Sequence, residues 1–519
     1  MANKSVFVTK LKQLLPWAKA TNHAGAPAYR MSPRQALAQL AATGTFNATF
    51  YADAREQLDL IHQFALQVEP EFIAKTAIYA REKGRMKDMP AFLLALLATM
   101  QTEDFSKAFP RVIVNGKMLR NLVQILRSGA TGRKSLGSRP KRLVQAWLEA
   151  ASDRQILSAS VGTSPSLADV IKMAHPAPAS KSREALYGWL MDRPHDGALL
   201  PEAVLAFEAF KRDMTLPVPD VPFQMLSALP LSTEHWASIA DKAGWQMLRQ
   251  NLNTFARHGV FELEGFTQKL AARLADPMEV RKARVLPYQL MAAFMSVDAK
   301  VPGEVKAALL DAMEIALANV PVIAGRVVVC PDVSGSMSSS VTGDRKGSTS
   351  KMRCIDVAAL MAAALLRKNS GARIIPFGTA VVDIDLDPHD SVMTNAARLA
   401  AIQGGGTNCA APAELLVAER AKVDVLIYVS DNESWIDAPR HAQSGTGLMQ
   451  AWAKLKLLNP KARLVCIDIQ PHVTTQASES LDILNIGGFS DAVFETVAAF
   501  AKGSLNPDHW VGEIEAIDY

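Results

Sequence analysis

Asp332, Ser334 and Ser336 stand on alternate positions directly after the apolar run Arg326-Val-Val-Val-Cys330. A strand ending there turns residues i, i+2 and i+4 to one side, so a carboxylate and two hydroxyls converge. Two later segments add oxygen in the same way. Gly404-Gly-Gly-Thr407-Asn408 precedes a helical stretch, and Asp424-Val-Leu-Ile-Tyr-Val-Ser-Asp431 is another apolar run ending in a carboxylate. The set Asp332, Ser334, Ser336, Thr407 and Asp431 holds no thiolate or imidazole. That favours a hard divalent cation, Mg²⁺ first with Mn²⁺ or Ca²⁺ as alternatives, over zinc or copper. With only two carboxylates, the ion keeps positive charge and an open position that an Asp or Glu from a partner could fill.

These ligands need strands to carry them. Apolar runs at 326–330, 373–377, 424–430, 463–469 and 482–486 alternate with helical stretches at 355–368, 410–420 and 448–457. Alternation of this kind predicts a mostly parallel, doubly wound α/β sheet, whose crevice outside the carboxyl ends of the strands is where ligands sit. Between the metal loop and the first helix, residues 338–351 are rich in Ser, Thr and Gly and read as a mobile surface loop.

Asp-x-Ser-x-Ser followed by a distant Thr and a distant Asp, each after a strand, resembles the metal-ion-dependent adhesion site of von Willebrand factor A domains. Every position of that pattern is filled.

Charge divides the chain. The 519 residues carry a net +5, but residues 1–322 hold 39 basic against 29 acidic side chains, and residues 323–519 hold 17 against 22. Residues 105–148 concentrate the excess: Lys107, Arg111, Lys117, Arg120, Arg127, Arg133, Lys134, Arg139, Lys141 and Arg142 occur there without one acid. Solvated helix faces ordinarily mix signs, so this run points to a polyanion. It lacks the sustained apolar face that a membrane surface would require, which favours nucleic acid. No run of eighteen apolar residues exists to span a bilayer, and Met1–Lys19 lacks the apolar core of a secretion signal. Cys330, Cys354, Cys409 and Cys466 have no metal-ligand spacing and read as small buried residues of a cytoplasmic protein.

Residues 30 to 320 read almost wholly as helices of ten to sixteen residues, including 33–42, 54–66, 71–82, 91–100, 116–127 and 304–318. Their succession suggests a helical-repeat solenoid of HEAT-like character, although no clean sequence period supports it. The expected division is an all-α module over 1–322 and an α/β domain over 323–519.

Four segments of the helical part resemble the TROVE module of the Ro ribonucleoprotein autoantigen family: Gly132-Arg-Lys-Ser-Leu-Gly-Ser-Arg-Pro-Lys-Arg142 with Ala146-Trp147-Leu148, Ser166-Leu-Ala-Asp-Val-Ile-Lys172-Met-Ala-His175-Pro176, Leu248-Arg-Gln-Asn-Leu252, and Arg284-Val-Leu-Pro-Tyr288-Gln. Pairing with a C-terminal A domain is characteristic of that family. The resemblance implies a monomeric ring of helical repeats closed by the A domain. It also implies binding of a Y-type noncoding RNA on the basic outer surface and of single-stranded 3′ ends of misfolded RNA in the central hole, for RNA quality control. An exoribonuclease or another protein is then a candidate partner at the metal site. Arg133, Lys134, Arg139, Lys141 and Arg142 are the foremost expected RNA contacts, with Lys172 and His175 next; His175, before Pro176, could equally cap a helix end.

Catalysis finds little support. Gly129-Ala-Thr-Gly132-Arg-Lys134-Ser135 has too short a glycine spacing for a phosphate-binding loop and no apolar strand immediately before it. Ser334 and Ser336 lie outside any Gly-x-Ser-x-Gly, and a two-metal nuclease would want more carboxylates. The competing reading from another class is a metal-dependent protein scaffold whose basic module binds an acidic protein.

Overall fold

The computed structural model describes residues 16, 18–23, 25–43, 53–343, 351–434, 445–505 and 509–519. They form two compact units that interleave along the chain. One takes in the described residues up to Val68, Val280–Ser296 and Leu309–Asp518; the other takes in Glu69–Glu279 and Val297–Ala308. The unit that holds residues 323–518 thus also takes in the described N-terminal residues up to Val68, together with Val280–Ser296 and Leu309–Val322. The physical reason is burial: Ala18 and Tyr29, near the N-terminus, sit in the same apolar cluster as Val328, Tyr428 and Leu464.

The first unit is built on a five-stranded parallel sheet. Its strands are β3 (Val327–Pro331), β4 (Arg373–Ile374), β5 (Val425–Ser430), β6 (Arg463–Asp468) and β8 (Ile483–Gly487), in the order β4-β3-β5-β6-β8. Every residue of β3, β5 and β8 is buried, as expected for a parallel sheet covered on both faces. In the predicted strand 373–377 the regular ladder covers Arg373–Ile374, and pairing with β3 runs on beyond it, with the Ile375 N–H donating to the Val329 carbonyl at 2.9 Å and the Phe377 N–H to the Pro331 carbonyl at 3.1 Å. Helices Cys354–Lys368, Ala411–Ala418 and Gly447–Leu458 fall where the sequence placed them, and helices Val392–Ala400 and Asp491–Lys502 add to the cover. A small antiparallel sheet went unforeseen: β1 (Ala20–Thr21) pairs β2 (Pro27–Arg30), which pairs β7 (Thr474–Thr475). The C-terminal tail folds back within this unit. Its helix His509–Glu515 buries Trp510, and Glu515 forms an ion pair with Arg34.

The second unit, among its described residues, is wholly helical. Helix Pro70–Glu82 packs on both Asp88–Leu97 and Asp104–Val112, Asp88–Leu97 packs on Gly116–Ser128, and that helix on Asp153–Ser160. Contact with the next-but-one element is the expected habit of stacked helical repeats. Asp88–Leu97 is buried on every side from Met89 on, which makes it the apolar spine of this stretch. All four cysteines are buried. Among the described residues no helix is long and apolar enough to cross a membrane. The middle of the loop expected at 338–351 lies outside the described residues. Its two ends are tied together by Val341 N–H to the Met352 carbonyl at 2.9 Å and Cys354 N–H to the Ser339 carbonyl at 2.9 Å.

Candidate functional site

The five oxygen-bearing residues foreseen from sequence lie in three loops and all are buried: Asp332, Ser334 and Ser336 at the carboxyl end of β3, Asp431 at that of β5, and Thr407 between helices Val392–Ala400 and Ala411–Ala418 rather than after a strand as expected. Hydrogen bonds between loops bring Thr407 to the strand ends. The Gly335 N–H donates to the Gly405 carbonyl at 2.8 Å, the Gly404 N–H to the Val333 carbonyl at 3.0 Å, and the Thr379 N–H to the Gly404 carbonyl at 3.0 Å. These backbones lie too close for side chains. A Cβ on Gly404 would meet the Val333 carbonyl oxygen at 2.6 Å, and one on Gly378 would meet the Gly404 oxygen at 2.1 Å. Gly404 is thus a requirement of chain proximity, and Gly405, at φ 69°, of backbone conformation.

Within the site, the Ser334 N–H donates to Asp332 Oδ1 at 2.8 Å, and the Ser334 and Ser336 hydroxyl oxygens lie 3.3 Å apart. Three residues that sequence reasoning missed complete the surroundings. Ser430 donates its hydroxyl to Asp332 Oδ2 at 2.6 Å and accepts from the Asn432 N–H at 3.0 Å, and Asn432 donates to the carboxylate of Asp468, the last residue of β6. Their signal was present in position, since Ser430 and Asp468 both close apolar strands. Their partners are set by strand pairing, Ser430 opposite Asp468 in the β5–β6 register.

Electrostatics favour a cation here. Burial pushes the Asp332 carboxyl above the usual carboxylate range, against the pull of the Ser334 and Ser430 hydroxyls. Asp431 is raised as well, first by burial and then by the nearby Asp332 charge, and Asp468 is raised by burial and by Asp431 and Glu433. Buried carboxylates that repel one another are stabilised as anions by a divalent ion between them. The donors are all oxygen and two are hydroxyls, so the residues fit Mg²⁺, Mn²⁺ or Ca²⁺.

The expected RNA contacts divide into two kinds. Arg139 is committed to the protein: its guanidinium donates to the carbonyls of Met100, at 2.7 Å, and Thr102, and stands 5.4 Å from the centre of the Phe105 ring. Arg133 donates to the Ala98 carbonyl at 2.5 Å. Both therefore cap the carbonyl end of helix Asp88–Leu97. Elsewhere in the basic run, Arg120 is buried against the Val161 and Pro165 carbonyls, and Arg111 makes a bidentate pair with Glu82 at 2.7 Å to each oxygen. Lys134, Arg142, Lys172 and His175 are exposed and Lys141 half-exposed. They share one neighbourhood, because Gln145, one turn beyond Lys141 and Arg142 on helix Ser138–Ala150, donates to the Ala174 and His175 carbonyls at 2.8 and 3.1 Å. His175 closes helix Leu167–Ala174 in a left-handed conformation, φ 52°, with its ring outside.

Residues 326–501 match the family model described as the Ro60 vWA domain. The chain is 24% identical over 525 residues to the RNA-binding protein RO60 of Deinococcus radiodurans, covering 93% of this chain and 95% of that protein. It is also 24% identical over 254 residues to the RNA-binding protein RO60 of Caenorhabditis elegans, covering 46% of this chain and 37% of the relative. The crystal structure of the Deinococcus radiodurans RO (RSR) protein has the same fold: its TM-score is 0.62 at 23% identity, over 91% of this chain and all of that one.

Proposed function

We propose, from its similarity to Ro proteins, that this chain is a non-catalytic RNA-binding protein of a small ribonucleoprotein. The observation that carries the reading is the group of exposed and half-exposed basic side chains on two neighbouring helices, Lys141 and Arg142 on one and Lys172 on the other with His175 at its end, and Lys134 in the loop before them. Such a surface holds phosphates by ion pairing and reads backbone shape rather than base order. The RNA is a Y-type noncoding RNA on the outer basic face, and single-stranded 3′ ends of misfolded RNA enter the hole of the ring that the family implies.

The metal site is a separate docking point. Mg²⁺ held by Asp332, Ser334, Ser336, Thr407 and Asp431 would present an open position to a carboxylate from a protein partner, an exoribonuclease among the candidates.

Binding of a structured RNA, with and without a single-stranded 3′ tail, across a salt series tests the reading. Tight binding that weakens steeply with salt and strengthens with the tail is expected, with a slope of about 0.7 to 0.9 log units per phosphate neutralised. No binding at low salt would turn the argument to the rival protein scaffold, whose basic module would instead capture an acidic protein.

A further inference from the structure

A second group of side chains able to ligate a metal lies on the unit that carries the oxygen site, and none of them is among the five oxygen donors there. His23, Glu433 and His472 come from three distant segments: the turn between β1 and β2, the loop after β5, and the loop between β6 and β7. One ligand atom from each lies within 4.8 Å of the other two. Glu433 is fully enclosed, with a side-chain exposure of 0%, and His472 is 5% exposed. Two imidazoles and one carboxylate form the donor set that suits zinc, in contrast to the all-oxygen set at Asp332.

The local geometry is already half arranged. His23 Nδ1 stands 3.2 Å from Glu433 Oε1, close to the separation of about 3.4 Å that two donors have on a tetrahedral zinc ion. The other carboxylate oxygen, Oε2, is oriented by the His23 backbone N–H at 3.0 Å, which leaves Oε1 directed at the ring. The His23 and His472 rings meet edge to face with centroids 4.9 Å apart, so a small rotation of either ring closes the triangle. The turn bearing His23 is fixed independently: Asn22 donates to the Ser434 carbonyl at 2.8 Å, and its side-chain oxygen accepts from the Ala26 N–H at 2.9 Å. Ligands are therefore delivered by a turn that is docked whether or not an ion is bound.

We propose that His23, Glu433 and His472 bind one Zn²⁺ ion that clips the N-terminal segment onto the loop following Asp431. A fourth position remains for water. Because Glu433 lies two residues beyond Asp431, the clip also holds the segment from which the oxygen site takes one of its carboxylates.

The test uses untagged full-length protein, stripped with a chelator and then held in excess Mg²⁺ so that the oxygen site is saturated. Co²⁺ is the probe, because a tetrahedral nitrogen-and-oxygen site gives it visible d–d absorption. Wild type and Asp332→Ala should both develop the band, and Zn²⁺ should bleach it. His23→Gln and His472→Asn should lose it, with Zn²⁺ affinity down by at least about tenfold. His23 keeps 38% of its side chain exposed, so its variant folds even if the buried His472 does not tolerate change. A band that survives His23→Gln unaltered, one that vanishes only in Asp332→Ala, or no band in wild type each overturns the proposal.

Discussion

Ser430 hands its hydroxyl proton to Asp332 Oδ2 at 2.6 Å across the β3–β5 pair, while Asp332 Oδ1 is held by the Ser334 N–H. Neither interaction supplies a metal ligand, yet together they fix the plane of the carboxylate on which the site is built. Residues that orient a ligand commonly matter to affinity by 10- to 100-fold, at about that order of magnitude. Ser430→Ala should therefore weaken Mn²⁺ binding by roughly tenfold. A titration of the stripped protein reads this directly, and unchanged affinity would show that Asp332 needs no such support.

Metal should also stabilise the fold. Asp332 and Asp431 are buried close to one another, so the cation removes a repulsion that the stripped protein retains. At a hundredfold excess over Kd, a ligand adds about 2.7 kcal/mol, equivalent to roughly 5–10 °C in Tm for a domain of this size. Mg²⁺ should raise Tm by that order in wild type. In Asp332→Ala the increment should vanish while RNA affinity stays intact, since the basic side chains proposed to face RNA belong to the other unit. Loss of RNA binding in a folded Asp332→Ala protein would contradict this division of labour.

The basic run should separate by mutation into two classes. Ala at Lys134, Lys141, Arg142 and Lys172 should lower RNA affinity and flatten its salt dependence by about 0.7 to 0.9 log units per lost phosphate contact. Arg139→Ala should instead destabilise the helical unit by about 2 kcal/mol, because it leaves helix-end carbonyls without their charged donor. Its binding per folded molecule should scarcely change. Measuring melting and binding on the same samples distinguishes the classes, and a large binding defect in a stable Arg139→Ala protein would return that residue to the RNA surface.

Glu479 predicts a pH effect of definite sign. Burial raises its carboxyl to about 7, although Asn485 donates to it at 2.7 Å from the side chain. The folded state thus holds a proton that the unfolded chain releases near 4.5. The stability this contributes is present below that value and is lost as pH rises through 7, by an amount on the order of 3 kcal/mol. Glu479→Gln should make the fall in stability between pH 5 and 7 shallower by about one proton. Denaturant melts at fixed Mg²⁺ across that range give the slope; an identical slope would mean that Glu479 ionises normally.

The strand-ending carboxylates show how far the sequence reaches. Asp332 and Asp431 were legible because a parallel strand buried on both faces must be an apolar run, and its first polar residue marks the carboxyl end where ligands gather. Thr407 was legible through the glycines before it, which the close approach of Val333 and Gly404 requires. Ser430 and Asp468 stood in equally visible places, but their roles depend on which strand lies beside which, and strand order is not written in any local pattern.

Arg139 and Arg111 mark the limit from the other side. A run of ten basic residues without an acid looks like one cationic surface when charge is counted along the chain. In three dimensions Glu82 comes from an earlier helix to pair with Arg111, and the Met100 and Thr102 carbonyls take up Arg139, so only part of the run faces solvent. The sequence by itself determined the alternating α/β pattern, the helical succession and the five oxygen-bearing residues of the candidate site, because each depends on periodicity or spacing within a short segment. Tertiary structure alone decided that the N-terminal turn belongs with the A domain, bringing His23 beside Glu433 and His472. Contacts between residues 410 or more positions apart are chosen by the burial of the whole core, and no window of sequence carries that information.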